Sequence, residues 1–174
     1  ATASVNPDGT INLVEGSPDI GGSRAAMAMH VAEVLGLPVT DIKPQVGDTD
    51  SIGYTSMTGG SGAAFKTGWA SYEAAQDVKQ QLIERAALVW DTDVDQIEYV
   101  DGVLRHKADT ELRLSFKEIA VELAATGGPV VGRGNLNPSG ALGSYSANII
   151  DVEVDAETGK VDILRFTAFQ DAGT

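Results

Sequence analysis

A glycine-rich turn running straight into the longest helical pattern of the chain, Gly59-Gly60-Ser61-Gly62-Ala63-Ala64, constrains this sequence more than any other stretch. The pattern predicts one helix from about Ala63 to Trp90. Its buried face is Ala64, Gly68, Ser71, Ala75, Val78, Leu82, Ala86 and Val89. A helix of that length in a globular protein must bury its apolar stripe. The first half of this stripe carries only small side chains, so a sheet, another helix or a ligand can approach closely there. The glycine turn also leaves unpaired backbone N–H groups at a helix start with no bulky side chain beside them. A protein can hold a phosphate-like anion in this way without charge of its own. Asp19-Ile20-Gly21-Gly22-Ser23 repeats the arrangement before a first helix. Glycine before a helix also serves as a plain tight turn, and the two readings stand side by side.

In chain order, Ala3 to Val5 and Ile11 to Val14 flank Asn6-Pro7-Asp8-Gly9, a hairpin signal. A first helix is predicted from Ser23 to Leu35, with Met27, Val31, Val34 and Leu35 on one stripe. Gly36 suits its C′ position, and Pro38 forbids continuation. Asp41 to Val46 reads as a short strand and 47–58 as a polar loop. Ile97 to Val100 and Val103 to His106 form a hairpin around Asp101-Gly102. Ser115-Phe116-Lys117-Glu118 is a capping box, with Leu114 and Ile119 as its hydrophobic staple, opening a third helix. Residues 127–143 hold six glycines and two prolines and read as one long irregular loop. Ala147 to Val154 and Val161 to Phe169 make a closing hairpin around residues 155–159. The expected fold class is α+β, a mixed or antiparallel sheet built from hairpins with helices covering one face, in a single domain over 1–174.

The 174 residues carry a net charge of −13, which argues against nucleic acid and anionic membranes as partners. No run is long and apolar enough for membrane insertion. The absence of cysteine excludes disulfides, iron–sulfur ligation and cysteine zinc sites within this stretch. There is no initiating Met, and both ends fall beside strand-like segments, so the chain is expected to be an internal piece of a longer protein. Gly60 to Thr67 narrowly misses a phosphate-binding P-loop: Phe65 stands where the second glycine should precede Lys66-Thr67. Asp48-Thr49-Asp50 and Asp91, Asp93, Asp95 lack the glycine and glutamate of a calcium loop; the second set reads as a solvated turn, and the first is kept as a polar contact. His30 and His106 lie far apart, and no serine has a nucleophile context. No catalytic residue and no protein metal ligand is assigned.

Taken together, these residues resemble the molybdopterin-binding large subunit of the xanthine dehydrogenase, aldehyde oxidase and carbon monoxide dehydrogenase family. Asp8-Gly9-Thr10-Ile11 begins the match, and Asp19-Ile20-Gly21-Gly22 looks like the family's Gly-Gln-Gly cofactor loop. Ala32 to Pro38 matches the helix end, and Gly47-Asp48-Thr49-Asp50 the Gly-Asp-Thr segment. Thr58-Gly59-Gly60-Ser61-Gly62 with Gly68-Trp69-Ala70 looks like the second cofactor loop and its helix. Tyr145-Ser146, Val152 to Asp155, Thr158-Gly159 and Asp171-Ala172-Gly173 match the closing hairpin.

The resemblance implies a molybdenum-cofactor-binding-domain-like fold and a place in a cytoplasmic oxidoreductase. The complete enzymes hydroxylate a carbon centre or oxidise carbon monoxide and pass electrons to iron–sulfur and FAD partners. The implied cofactor is molybdopterin cytosine dinucleotide with molybdenum, bound in the parent protein and absent from this piece. The implied contacts are Gly21, Gly22 and Ser23 in one loop and Gly60, Ser61 and Gly62 in the other. Two departures stand out. Gly22 and Ser23 replace the family's glutamine and following glycine, and Gly62 stands where an arginine is common in bacterial members. A non-catalytic scaffold or subunit-docking relative is therefore carried as the alternative, and an unrelated phosphate-binding module as a third reading. The piece is expected to be inactive alone.

Overall fold

The Asn6-Pro7-Asp8-Gly9 turn folds as its residues dictate. Asp8 Oδ1 accepts from the Thr10 N–H at 2.9 Å and from the Thr10 hydroxyl at 2.6 Å, and Gly9 takes a φ of +83°. On either side, β1 (Thr2–Val5) and β2 (Ile11–Glu15) pair antiparallel, Ala3 opposite Leu13. This is a computed structural model, and it describes residues 1–136 and 143–171. The chain divides into two compact units, Ala1–Pro138 and Ser139–Thr174.

In the first unit, β2 leads through α1 (Ser23–Leu35) to β3 (Ile42–Val46), which lies parallel to β2. A parallel pair needs such a crossover, and a helix supplies it. The four-stranded sheet has the order β3-β2-β1-β7, with β7 at Val131–Arg133 antiparallel to β1. This is the mixed sheet the sequence predicts. Alternate residues Ala3, Val5, Ile11 and Leu13 are buried under α1 and the long helix α3 (Gly68–Trp90). Two loops are more structured than their sequences suggest. Residues 47–58 include a four-residue helix, α2 (Thr49–Ile52), because Asp48 caps it by accepting from the Asp50 and Ser51 N–H groups. The stretch 127–143 contains β7, a strand too short and glycine-rich to show alternation; its residues 137–142 lie outside the described residues.

The small face of the long helix meets that strand. A Cβ on Gly132 would collide with the Ala74 carbonyl, and one on Gly134 with the Ala70 carbonyl. Gly132 on the strand and Gly134 just after it let that backbone touch the helix at Ala74 and Ala70. Gly68 faces α1 instead, where a Cβ would lie 2.8 Å from His30 Nε2. Six residues of the expected buried face are buried, Gly68, Ser71, Ala75, Val78, Leu82 and Ala86. Ala64 and Val89 are exposed. The first five helical residues, Ala63–Thr67, form a π-helical turn ahead of α3.

A three-stranded antiparallel sheet, β4 (Ile97–Val100), β5 (Val103–His106) and β6 (Arg113–Ser115), completes the unit. It is fastened to the end of α1. Gly36 takes φ +59° as the helix C-cap, and a Cβ there would lie 2.5 Å from the Asp101–Gly102 peptide. Tyr99 donates from its buried hydroxyl to the Leu35 carbonyl at 2.7 Å, and burial pushes that hydroxyl's pKa up. The capping box at Ser115 and Glu118 forms and opens α4 (Phe116–Glu122).

The second unit is one antiparallel hairpin, β8 (Tyr145–Val154) and β9 (Val161–Asp171), with an irregularity at Asp151/Val152. Its pairs Ile150–Phe166, Val152–Ile163 and Val154–Val161 are apolar, whereas Asp151–Arg165 and Glu153–Asp162 are charged.

The strand–helix contact gives a direct test. Gly132→Ala is expected to destabilise the fold by about 2 kcal/mol or more, the usual cost of forcing an atom into a filled interior. Gly62→Ala, at φ −88° with no contact closer than 3.5 Å, is expected to stay within about 0.5 kcal/mol of the parent. Urea denaturation of the two variants measures the difference.

Candidate functional site

Where β2 ends, the chain passes through Gly16 and Ser17 and meets the loop before the long helix. Thr55 donates from its hydroxyl to the Gly16 carbonyl at 3.2 Å, and the Ser17 and Thr58 hydroxyls lie 3.2 Å apart. Glycine is required at 16, because a Cβ there would collide with the Thr55 methyl. These contacts hold one wall of a cavity of about 410 Å3 within the first unit. Its other walls are residues 54–59, the helix start at Gly62, Ala63, Lys66 and Thr67, and residues 134–136 after β7. The lining is rich in hydroxyls, and Lys66 is its one charged side chain.

Behind the wall stands Glu15, the last inward residue of β2 and 1% exposed. Its Oε2 accepts from the Ser17 N–H at 2.6 Å, while Oε1 has no partner among the described residues. Burial raises its carboxyl above the ordinary range, and the Ser17 N–H opposes that only in part. Burial in this dry position disfavours the charged form.

The two glycine turns are built differently. In the second, Gly60 and Ser61 take φ of +61° and +57°, and the Gly62 N–H donates to the Gly59 carbonyl at 3.3 Å. A Cβ on Gly60 would meet nothing within 4 Å, so the turn stands open to an approaching group. Of the six residues singled out from sequence, Gly62 lines the cavity; Gly60 and Ser61 sit in the turn just before it. In the first turn, Gly21 and Gly22 take φ of +49° and +88° and are also open. The Asp19 carboxylate already serves this helix start: Oδ1 accepts from the Arg24 N–H at 3.2 Å and from the Ser23 hydroxyl at 3.1 Å, and Oδ2 pairs with the Arg24 side chain at 2.9 Å. These bonds, the Arg24 N–H foremost, hold Asp19 below the usual carboxylate range. Gly21, Gly22 and Ser23 do not line the cavity.

Asp48 is committed locally. Its carboxylate accepts from the Ser51 hydroxyl at 2.8 Å and from two N–H groups of α2. Gly47 is packed between Val14 and Ile52. Of the polar residues that wall the cavity, Ser17 and Thr55 carry no sequence signal of their own; they join Thr58 and Lys66 only through the β2–α1–β3 crossover and the return of β7. No group of three or more His, Asp or Glu among the described residues is placed to hold a metal ion, and no described helix is long and apolar enough to cross a membrane.

The whole chain, residues 1–174, matches the family model described as the molybdopterin cofactor-binding domain. It is 30% identical over 172 residues to the probable hypoxanthine oxidase XdhD of Escherichia coli (strain K12), covering 96% of this chain and 18% of that one. It is 26% identical over 180 residues to the carbon monoxide dehydrogenase large chain of Afipia carboxidovorans, covering 100% of this chain and 22% of that one. A solved structure of Cu,Mo-CO dehydrogenase in its carbon-monoxide-reduced state superposes with a TM-score of 0.85 at 25% identity, over 99% of this chain and 22% of that one. The chain thus spans about a fifth of the length of these relatives.

The buried carboxyl makes a pH signature. A raised folded-state pKa means that Glu15 favours the fold while protonated and loses that contribution as pH climbs from the ordinary glutamate value through the folded one. Glu15→Gln keeps an acceptor for the Ser17 N–H and cannot ionise. The variant is expected to match the parent near about pH 4 and to melt higher near about pH 8. Parallel melting curves across that range would contradict a raised carboxyl pKa.

Proposed function

The chain belongs to the molybdopterin cofactor-binding domain family, and from that membership we propose that it is one segment of the large subunit of a molybdenum hydroxylase. The parent would oxidise carbon monoxide, an aldehyde or a heteroaromatic ring, and the segment would be inactive by itself and carry no cofactor alone. The observation that carries the reading is the cavity at the helix start, where Gly62 and Lys66 meet the hydroxyls of Ser17, Thr55 and Thr58. That donor set suits a phosphorylated cofactor, since open glycine N–H groups, hydroxyls and a cation are what an anionic ester needs.

In this reading Gly60, Ser61 and Gly62 offer backbone contacts to the diphosphate of molybdopterin cytosine dinucleotide. Gly21, Gly22 and Ser23 offer a second set at the start of α1. When bound, the molybdenum group would supply two-electron oxidation chemistry, and iron–sulfur and FAD subunits or domains would be the parent's partners. The chain's own residues position the cofactor and bring no catalytic group. The cytoplasm is the compartment this assembly implies, and residues 1–174 would act as one cofactor-binding domain.

A scaffold or docking relative is the second reading. Gly22 in place of the family glutamine, and an Asp19 carboxylate already holding the α1 start, support it. Neither feature touches the second turn.

The test is elemental analysis of the full-length protein, purified with its natural partners, together with CMP released by acid. Near-stoichiometric molybdenum and CMP are expected. Gly60→Val in the same protein is expected to lower both severalfold, because a side chain would fill the space above the turn. Absence of both from the parent, in a host that matures such enzymes, would support the scaffold reading.

A further inference from the structure

The β8–β9 hairpin has the side chains of a buried element and the exposure of a bare one. In the half next to its turn, the pairs Ile150–Phe166, Val152–Ile163 and Val154–Val161 share one face, and these six residues are 47–66% exposed. The opposite face of that half carries Asp151–Arg165 and Glu153–Asp162. In the other half the arrangement is reversed. Tyr145, Ala147, Ile149 and Phe169 line the face that bears the charges further along, and Ser146–Gln170 and Asn148–Ala168 lie opposite. Side chains alternate along a strand, so the apolar surface changes sides between Ile149 and Ile150. Each apolar half-face is roughly 17 Å long. The strands run ten and eleven residues without a proline, and among the described residues neither has a second neighbour in its sheet. A two-stranded hairpin is marginal in water unless another layer supports it, and a long apolar edge left bare is an aggregation site.

We propose that this hairpin is an inserted element, held between two apolar layers that the parent's own polypeptide supplies from outside residues 1–174. The proposal rests on the reading of the chain as one segment of a longer subunit. Its two half-faces decide between the occupants. A separately folded subunit or a second copy docks as a preformed body, meets one face and leaves the other apolar half-face in water. Covering opposite faces takes two layers of one fold around a common core. The chain makes up 18% and 22% of the relatives it matches, so most of such a polypeptide lies outside these residues and can provide both layers. The charges set the limits of each layer. Asp151, Glu153, Asp162 and Arg165 would be costly to bury beneath an apolar layer, so the layer over Ile149 and Phe169 stops short of the turn half. On the opposite side, the layer over Phe166 and Ile163 stops short of Asn148 and Ser146. The irregularity at Asp151/Val152, where Leu164 is the extra residue, lies at this changeover and strengthens the local twist.

The experiment uses the full-length protein purified with its natural partners. A photoprobe is placed on each apolar half-face, Phe166→p-benzoylphenylalanine and Phe169→p-benzoylphenylalanine, and a control on the charged half-face, Glu153→p-benzoylphenylalanine. After irradiation the products are sized under denaturing conditions and mapped by peptide mass spectrometry. The probes at 166 and 169 are expected to join residues of the same polypeptide outside 1–174, at two different places, and the control to give severalfold less product. A product at the summed mass of two chains, whether a second copy or a partner subunit, would overturn the proposal. So would joining to residues 1–136, or equal product from the control. Hydrogen exchange of the unmodified protein needs no variant to fold. Amides of 145–154 and 161–171 are expected to exchange about a hundredfold or more slowly than those of the turn at 155–160. Equal rates would show a bare hairpin and overturn the proposal as well. Molybdenum and CMP, measured on the same preparation, separate this inference from the cofactor reading. Joining within one polypeptide in a protein that carries neither leaves the inserted hairpin standing and removes the cofactor. Joining to another chain in a protein that carries both does the reverse.

Discussion

The contact between β7 and α3 is the constraint on which the rest of the first unit depends. Gly132 and Gly134 lie directly on the carbonyls of Ala74 and Ala70, so strand and helix approach until their backbones touch. Ordinary side chains on either element would hold the helix further away. The close approach has a structural consequence at each end. Toward the C-terminal half of α3, Val78, Leu82 and Ala86 enter the core against the same sheet. Toward its start, the helix carries Gly62, Lys66 and Thr67 up to residues 134–136 and to Gly16–Ser17. The cavity is therefore a by-product of where glycines let a helix sit.

The helix start is also pinned from the other side. Gly68 rests on His30 of α1, and the five residues before it are wound as a π turn. A π turn accommodates one extra residue and recurs at functional positions. Here it lies between the open glycine turn and the tightly packed part of α3. Thr67 shows the change most directly: its carbonyl accepts from the Ser71 hydroxyl at 2.8 Å, a back-bond of the kind that bends a helix. The packed helix and the exposed turn thus meet within a few residues, which keeps the turn open while its base stays fixed.

Much of this was readable from the residues. Both terminal hairpins, the span of α1 with its Gly36 cap, the capping box at Ser115 and most of the buried face of α3 follow from turn chemistry and periodicity. The small stripe on α3 was legible as a close-approach surface, but its partner was not. β7 is three residues long, and its glycines look like loop. α2 was hidden for a related reason, because one Asp48 cap holds a helix too short to show a period. For the candidate site, sequence alone marked the glycine turns and left out the hydroxyl wall. Ser17 and Thr58 are 41 positions apart, and only the crossover through α1 and β3 brings them within 3.2 Å. Lys66 was visible as part of a failed P-loop pattern, and its place in the wall depends on the helix docking that β7 sets.

The charges obey a division that the composition does not show. Asp8, Asp19, Asp48, Glu118 and Asp155 each accept hydrogen bonds from N–H groups or hydroxyls close to them in sequence, and each is held below its ordinary pKa by those bonds. The acidic surplus is thus spent partly on turns and caps, where a carboxylate replaces missing backbone partners. The start of α1 follows this rule, with Asp19 as its anion. The start of the 63–90 helix does not: no side chain caps it, no acid stands in its first turn, and a lysine sits there instead. Its first turn therefore brings the positive end of the helix and an ammonium together with no carboxylate in that turn.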